Sequence, residues 1–142
     1  MTKVFLDANV YFAGFLSSQG ASALVLQLAR RKKIQVIATQ LVLHEADRNL
    51  RKKTSPQTLK SFHRFLQETK IQIQPAVDDK SLRKYESLIH PKDVPVIAAA
   101  VEAKADYLIT LDRRHFLTEK IQSEVKRIKM ITPGDFIREL FS

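Results

Sequence analysis

Alternation constrains this chain more than any other feature. Short apolar runs of strand length take turns with longer helical stretches from one end to the other. The runs are Val4–Leu6, Ile34–Ala38, Ile71–Gln74, Tyr107–Thr110 and Lys129–Ile131. Between them Ala21–Lys33, Gln40–Lys53, Gln57–Lys70, Lys80–Ile89 and Val94–Lys104 read as helices. In the third of these Leu59, Phe62 and Leu66 fall on one face. A last helix has its own start signal: Thr132 can cap it, Pro133 suits its first position, and Asp135 stands where a capping box wants an acid. Strand and helix in alternation imply right-handed crossovers and a parallel sheet covered on both faces. The predicted fold class is therefore α/β, a three-layer α/β/α sandwich around a five-stranded parallel sheet. The stretch Val94–Val101 is apolar nearly all round, which predicts a deeply packed helix.

At 142 residues the chain reads as one domain, residues 1–142. A hydrophobic share of 44% with 27% charged residues is enough for an ordinary core. The absence of cysteine excludes a disulfide framework, a zinc–thiolate site and a thiol nucleophile. The four histidines, His44, His63, His90 and His115, show no zinc-type spacing; His115 could approach the acids from its place after Asp112, but a surface loop is expected for it. No apolar run reaches membrane-spanning length, and the N-terminus enters a β-like run without the parts of a signal peptide. A cytoplasmic protein with no membrane partner is the expectation. The 24 Lys and Arg against 15 Asp and Glu give a net charge of +9, which favours a polyanionic partner, nucleic acid before membrane.

Ligands of open parallel sheets bind beyond the carboxyl ends of the strands, and several acids fall there. Asp7 follows the first strand, Asp112 follows the fourth, Asp93 opens the buried helix, and Glu45 lies early in the helix after the second strand. Each alone has a plainer reading. Asp7 and Asp112 could be turn or cap residues, Asp93 could simply cap its helix, and Glu45 could be a solvated helix residue. A helical wheel does not separate Glu45 from Asp47, since both flank the stripe of Val42, Leu43, Ala46 and Leu50. Those readings leave the convergence on one edge unexplained. Two carboxylates about 4 Å apart repel by roughly 4 kcal/mol at an effective dielectric near 20. A hard divalent ion removes that cost, and all-oxygen ligands suit Mg²⁺ or Mn²⁺.

Four segments in this order resemble the PIN-domain ribonucleases, most closely the VapC-type toxins of toxin–antitoxin pairs. They are Asp7-Ala8-Asn9-Val10 after the first strand, Leu43-His44-Glu45, Lys92-Asp93-Val94-Pro95-Val96-Ile97-Ala98-Ala99-Ala100, and Ala105–Asp112 with Phe116 four residues on. The likeness runs from Val4 to the last helix. It implies a sheet in the order 3-2-1-4-5, which would set Asp7 and Asp112 side by side. It also implies a catalytic and metal-holding role for Asp7, Glu45, Asp93 and Asp112, choosing Glu45 over Asp47, with Asn9 and Thr110 in support. The segment around Glu45 matches loosely, which leaves one ion or two.

The function implied is a Mg²⁺- or Mn²⁺-dependent endoribonuclease hydrolysing RNA phosphodiesters by in-line attack of a metal-activated water. Arg48, Arg51, Lys52, Lys53, Arg113 and Arg114 are the candidate contacts to the RNA backbone. A protein antitoxin is the implied partner. A homodimer is expected too: Phe65 widens the apolar stripe of its helix beyond what one sheet-facing side needs, and although it could instead pack under the loop to Ile71, the resemblance implies pairing through helices in this half of the chain. The alternative is a catalytically inactive PIN-like module that binds RNA or protein, although a binder of phosphate gains nothing from concentrated acids. A haloacid-dehalogenase-like phosphatase would end its first strand Asp-x-Asp, where Asn9 stands here. A receiver domain would carry an acid after its third strand, which here ends Gln74-Pro75.

Overall fold

The structure is a computed structural model, and all 142 residues are described. Five parallel strands, β1 (Lys3–Leu6), β2 (Gln35–Ala38), β3 (Gln72–Ile73), β4 (Tyr107–Ile109) and β5 (Lys129–Ile131), form one sheet. Its order is β3-β2-β1-β4-β5. Beyond their first residues the central strands are apolar because helices cover both faces: Val4, Phe5, Leu6, Leu108 and Ile109 are all fully buried. The edge strand β3 is only two residues long and exposed, a common way of blunting a sheet edge.

Eight helices complete the layers: α1 (Ala8–Leu16), α2 (Ala21–Arg30), α3 (Gln40–Lys53), α4 (Pro56–Glu68), α5 (Asp79–Arg83), α6 (Val94–Glu102), α7 (Glu119–Glu124) and α8 (Pro133–Leu140). The all-apolar α6 is packed as expected, with Val94, Val96, Ile97 and Ala98–Ala100 buried. In α8 the Thr132 hydroxyl accepts from Asp135 N at 3.1 Å, and Pro133 opens the helix.

Three elements differ from the sequence reading. Helix α1 is not foreseen, because Ala8–Leu16 is apolar on nearly every side and carries no helical periodicity. Helix α7 has only six residues, too few for a pattern to emerge. The expected helix Lys80–Ile89 holds α-helical form only to Arg83, and then winds on through three-residue backbone turns such as Tyr85 N to Leu82 O and Leu88 N to Tyr85 O. Leu82, Tyr85 and Leu88, three apart, all rest on the core, and tighter winding keeps such a spacing on one side.

Phe65 also corrects an expectation. It is fully buried within the monomer, edge-on to Tyr11 at 6.5 Å and to Phe15 at 5.5 Å. Helix α1 absorbs the widened stripe of α4, so Phe65 leaves no surface for a second subunit. Helix α1 in turn lies close on α2 because Gly14 has no side chain: a Cβ there would stand 2.4 Å from Leu26 Cδ1.

Two helix ends are strained. Lys32 and Lys104 adopt φ of 60° and 59°, each just past a helix whose carbonyls are closed by returning bonds, Lys33 N to Leu28 O and Ala105 N to Ala100 O. This is the left-handed cap that glycine takes without penalty. Lys32→Gly and Lys104→Gly should each stabilise the fold by about 1 kcal/mol, read as a rise in urea midpoint at unchanged slope.

Candidate active site

Strand register delivers the first acid and its partner. Leu6 lies beside Ile109 across the β1–β4 pair, and Asp7 N continues the ladder to Ile109 O at 3.0 Å. Asp7 and Thr110 therefore leave the sheet together at its carboxyl edge. Asp7 Oδ1 accepts from Ala8 N at 2.8 Å, so the residue does cap α1. Its Oδ2 accepts from Thr110 Oγ1 at 2.8 Å and Asn9 Nδ2 at 3.2 Å. Asn9 Oδ1 reaches across to accept from Leu111 N at 3.1 Å, and Thr110 Oγ1 accepts from Asp112 N at 3.0 Å. The two supporting residues thus clamp the ends of β1 and β4 to each other.

The remaining acids arrive from other elements. Asp93 stands at the N-cap position of α6, yet its side chain makes no cap bond; Asp93 Oδ2 lies 3.0 Å from His115 Nδ1. Asp112 plays both roles. Its Oδ1 accepts from His115 N at 2.9 Å in a turn, while Oδ2 lies 3.0 Å from the His115 ring. On α3, Glu45, Asn49 and Lys53 fall four residues apart and line the same cleft as Asp7, Asp93 and Asp112, a space of about 350 Å³. Asp47 faces the other way, bonded to His63 of α4 and to Arg51 at 3.1 Å. Of the two acids that the helical wheel leaves equal, Glu45 lines the cleft and Asp47 does not.

Electrostatics mark the cleft as strained when no cation is present. Burial pushes Asp7 up to about 6, opposed by its bonds from Thr110 and Ala8 and reinforced by the charges of Asp93 and Glu45. Asp93 is raised too, mainly by burial and further by Asp112, with His115, His90 and Lys92 pulling the other way. Outside the cleft the sign reverses: the bond from His63 holds Asp47 below the usual carboxylate range.

His115 lies in a partly exposed turn, as expected, and from there its ring reaches between Asp93 and Asp112. Its ring stacks on His90 at 5.7 Å, and His90 and Asn49 also line the cleft. None of these three was selected by sequence reasoning. Asn49, one turn beyond Glu45, could have been found from helical spacing. His115 stands three residues after Asp112, a spacing that brings it near the acids, whereas no pattern links His90 to them. Of the predicted basic residues, Lys53 alone lines the cleft, joined by Lys92, whose Nζ lies 4.0 Å from Glu45 Oε1. Arg51 is engaged by Asp47 instead. Arg48, Lys52 and Arg113 are exposed outside the cleft lining, and Arg114 borders a neighbouring depression with His90, His115 and Lys120.

A PIN-domain family model matches residues 3–114. The chain belongs to the PIN-domain family. The match takes in all four acids, Asn9, Thr110 and the β1–β4 clamp, and the sheet order is the one the resemblance implied. Solved PIN-fold structures superpose on nearly the whole chain. VapBC2 from Rickettsia felis, bound to a DNA fragment from its promoter, aligns at TM-score 0.63 and 15% identity over 92% of this chain and 98% of that one. FitAcB from Neisseria gonorrhoeae gives 0.60 at 15%, over 92% and 98%. VapC20 from Mycobacterium tuberculosis, described as a toxin cleaving the sarcin–ricin loop, gives 0.57 at 14%, over 78% and 91%. No curated protein matches the sequence. No single helix is long and apolar enough to cross a membrane.

Proposed function

We propose that this PIN domain is a Mg²⁺- or Mn²⁺-dependent endoribonuclease and the toxin of a toxin–antitoxin pair. The observation that carries the reading is the convergence of Asp7, Glu45, Asp93 and Asp112, from four separate elements, on one cleft. A divalent ion fits the donors present: ligand atoms of Asp93, Asp112 and His115 lie within 4.8 Å of one another. The cost of holding Asp7 ionised beside Asp93 and Glu45 is also of the kind a hard cation offsets.

Asp7, Asp93 and Asp112 would hold the ion, with Glu45 holding it through water or holding a second one. Such an ion, when bound, lowers the pKa of water and offsets charge on the non-bridging and leaving oxygens of a phosphodiester. The protein's part is positional. Asn9 and Thr110 fix the Asp7 carboxylate by two hydrogen bonds, and the turn at Asp112 leaves its Oδ2 facing the cleft. Glu45, approached by Lys92 alone among the basic side chains, would take the proton of the attacking water. Incubation of the protein with end-labelled RNA is the test. Cleavage in Mn²⁺ or Mg²⁺ that stops with EDTA supports the proposal, and full activity in EDTA ends it. RNA binding with no cleavage under any divalent ion would favour the inactive binding module.

Net charge +9 and the lysines at the cleft mouth support an RNA substrate held through its phosphates. Lys53 sits 5.7 Å over the Phe12 ring, which fixes its ammonium at the cleft wall. In an inactive background, Lys53→Gln should weaken single-stranded RNA binding several-fold and flatten the log–log salt slope by about 0.7. Arg51→Gln should change both far less, because Asp47 already engages Arg51. Fluorescence anisotropy across a salt series distinguishes the two.

The antitoxin reading draws on the neighbours, one of which is a VapBC complex on its promoter DNA. A small DNA-binding protein encoded next to this gene, co-purifying with it and blocking cleavage, is the expected finding. The homodimer loses the support that Phe65 was to give it. It stays in the proposal on the family resemblance alone. A light-scattering mass equal to the 16.3 kDa monomer at micromolar concentration would remove it.

A further inference from the structure

We infer that His115 is itself a metal ligand, so that the site is a mixed oxygen–nitrogen one that favours Mn²⁺ over Mg²⁺. The inference rests on the metal-dependent reading above and adds to it a nitrogen donor. His115 Nδ1 stands 3.0 Å from Asp93 Oδ2 and 3.0 Å from Asp112 Oδ2. One ring N–H could serve both oxygens only as a bent three-centre bond, whereas an ion held between the ring nitrogen and the two oxygens would engage all three directly. Neighbouring ligands of a six-coordinate ion, each about 2.1 Å from it, stand about 3.0 Å apart. The two spacings on His115 have that value.

The placement of the ring is fixed from several sides. The backbone N–H of His115 donates to Asp112 Oδ1 at 2.9 Å, and the next residue, Phe116, is fully buried and anchors the turn. His90 stacks on the ring with an interplanar angle of 18°. His90 Nδ1 accepts from Lys92 N at 3.1 Å, which engages the nitrogen on that side and leaves His90 as a positioning residue. Asp112 contributes one oxygen to the turn and one to the cleft, so nothing must be rearranged for Oδ2 to ligate.

The chemical consequence follows from donor type. Mg²⁺ and Mn²⁺ both favour oxygen donors, but Mn²⁺, as a first-row transition ion, takes an imidazole nitrogen beside them more readily than the harder Mg²⁺ does. An Asp–Asp–His set therefore separates Mn²⁺ from Mg²⁺ at a site that three acids alone would leave less selective.

Pulsed electron paramagnetic resonance on the intact protein loaded with substoichiometric Mn²⁺ tests this directly. The wild type should show ¹⁴N modulation from a coordinated imidazole, lost in His115→Gln and kept in His90→Gln. Bound Mn²⁺ without nitrogen modulation would overturn the assignment, as would modulation that His115→Gln leaves in place. In titrations, His115→Asp should lower the Mn²⁺-to-Mg²⁺ affinity ratio about tenfold, and an unchanged ratio would count against it. If no Mn²⁺ binds at all, both this assignment and the metal-dependent reading beneath it fail. Bound Mn²⁺ lacking nitrogen coupling removes only the former.

Discussion

Asp93→Asn and Asp112→Asn should each slow RNA cleavage at saturating Mn²⁺ by at least roughly a hundredfold, while the protein stays folded. Losing a mere supporting partner of a metal ligand commonly costs ten- to a hundredfold, so losing the ligand itself should cost no less. Neither change should disturb the fold. Asp93 makes no cap bond that asparagine would forfeit, and at position 112 asparagine keeps an Oδ1 acceptor for His115 N. Asp47→Asn is the matched control, equally acidic and two residues from Glu45, but turned toward His63 and Arg51. It should leave cleavage unchanged and cost no more than about 1 kcal/mol of stability, as partly exposed pairs do. Glu45→Gln, by contrast, should impair cleavage. A wild-type rate for Asp112→Asn or Asp93→Asn would remove that residue from the site.

The second large effect is on stability, and it runs the opposite way from most mutations. A carboxylate moved from 3.8 to about 6 is destabilising when ionised by about 3 kcal/mol. The folded state holds its proton more tightly than the unfolded one, so in EDTA this penalty is absent below pH 4. It grows as pH rises from about 4 to 6 and is complete above 6. Asp7→Asn keeps the Oδ1 acceptor for Ala8 N and carries no charge. Even after some loss at the Thr110 contact it should raise metal-free stability at pH 7.5 by 1–3 kcal/mol, an order-of-magnitude range from that shift. The advantage should vanish near pH 4. Thermal unfolding across pH gives the answer, and a destabilised Asp7→Asn at pH 7.5 would mean the buried carboxylate is not strained. Added Mn²⁺ should raise the melting temperature of the wild type much more than that of the variant.

How far the sequence alone reaches depends on the kind of signal. Strands β1, β2, β4 and β5 were legible because buried parallel strands are short, continuous apolar runs, and each fell within a residue or two of its predicted bounds. Asp7 and Asp112 could be placed at the sheet edge for the same reason. Glu45 could not be told from Asp47 by periodicity, since both flank one stripe. The choice came from family resemblance and is matched by the way α3 lies over the cleft. Helix α1 was invisible because a helix buried on most sides has no polar face to mark its period. With α1 missing, Phe65 had no visible partner and looked like surplus surface, when it is the floor of an aromatic cluster with Tyr11 and Phe15. For His115 only half of its setting is local: the turn with Asp112 lies in the sequence, but the contact to Asp93 runs across the fold and no local pattern encodes it.

The β1–β4 clamp also bears on timing. Asp7 Oδ2 depends on Thr110, and Asn9 depends on the backbone of Leu111, partners about a hundred residues later in the chain. While the protein is being made, its first acid stands without these supports until Thr110 and Leu111 have appeared, and Asp112 and His115 come later still. No early portion of the chain can assemble the cleft. On the proposed ribonuclease reading, a growing chain could not cut the RNA that encodes it before Thr110, Asp112 and His115 have emerged, so an inhibitor need only meet a chain that already carries all of them.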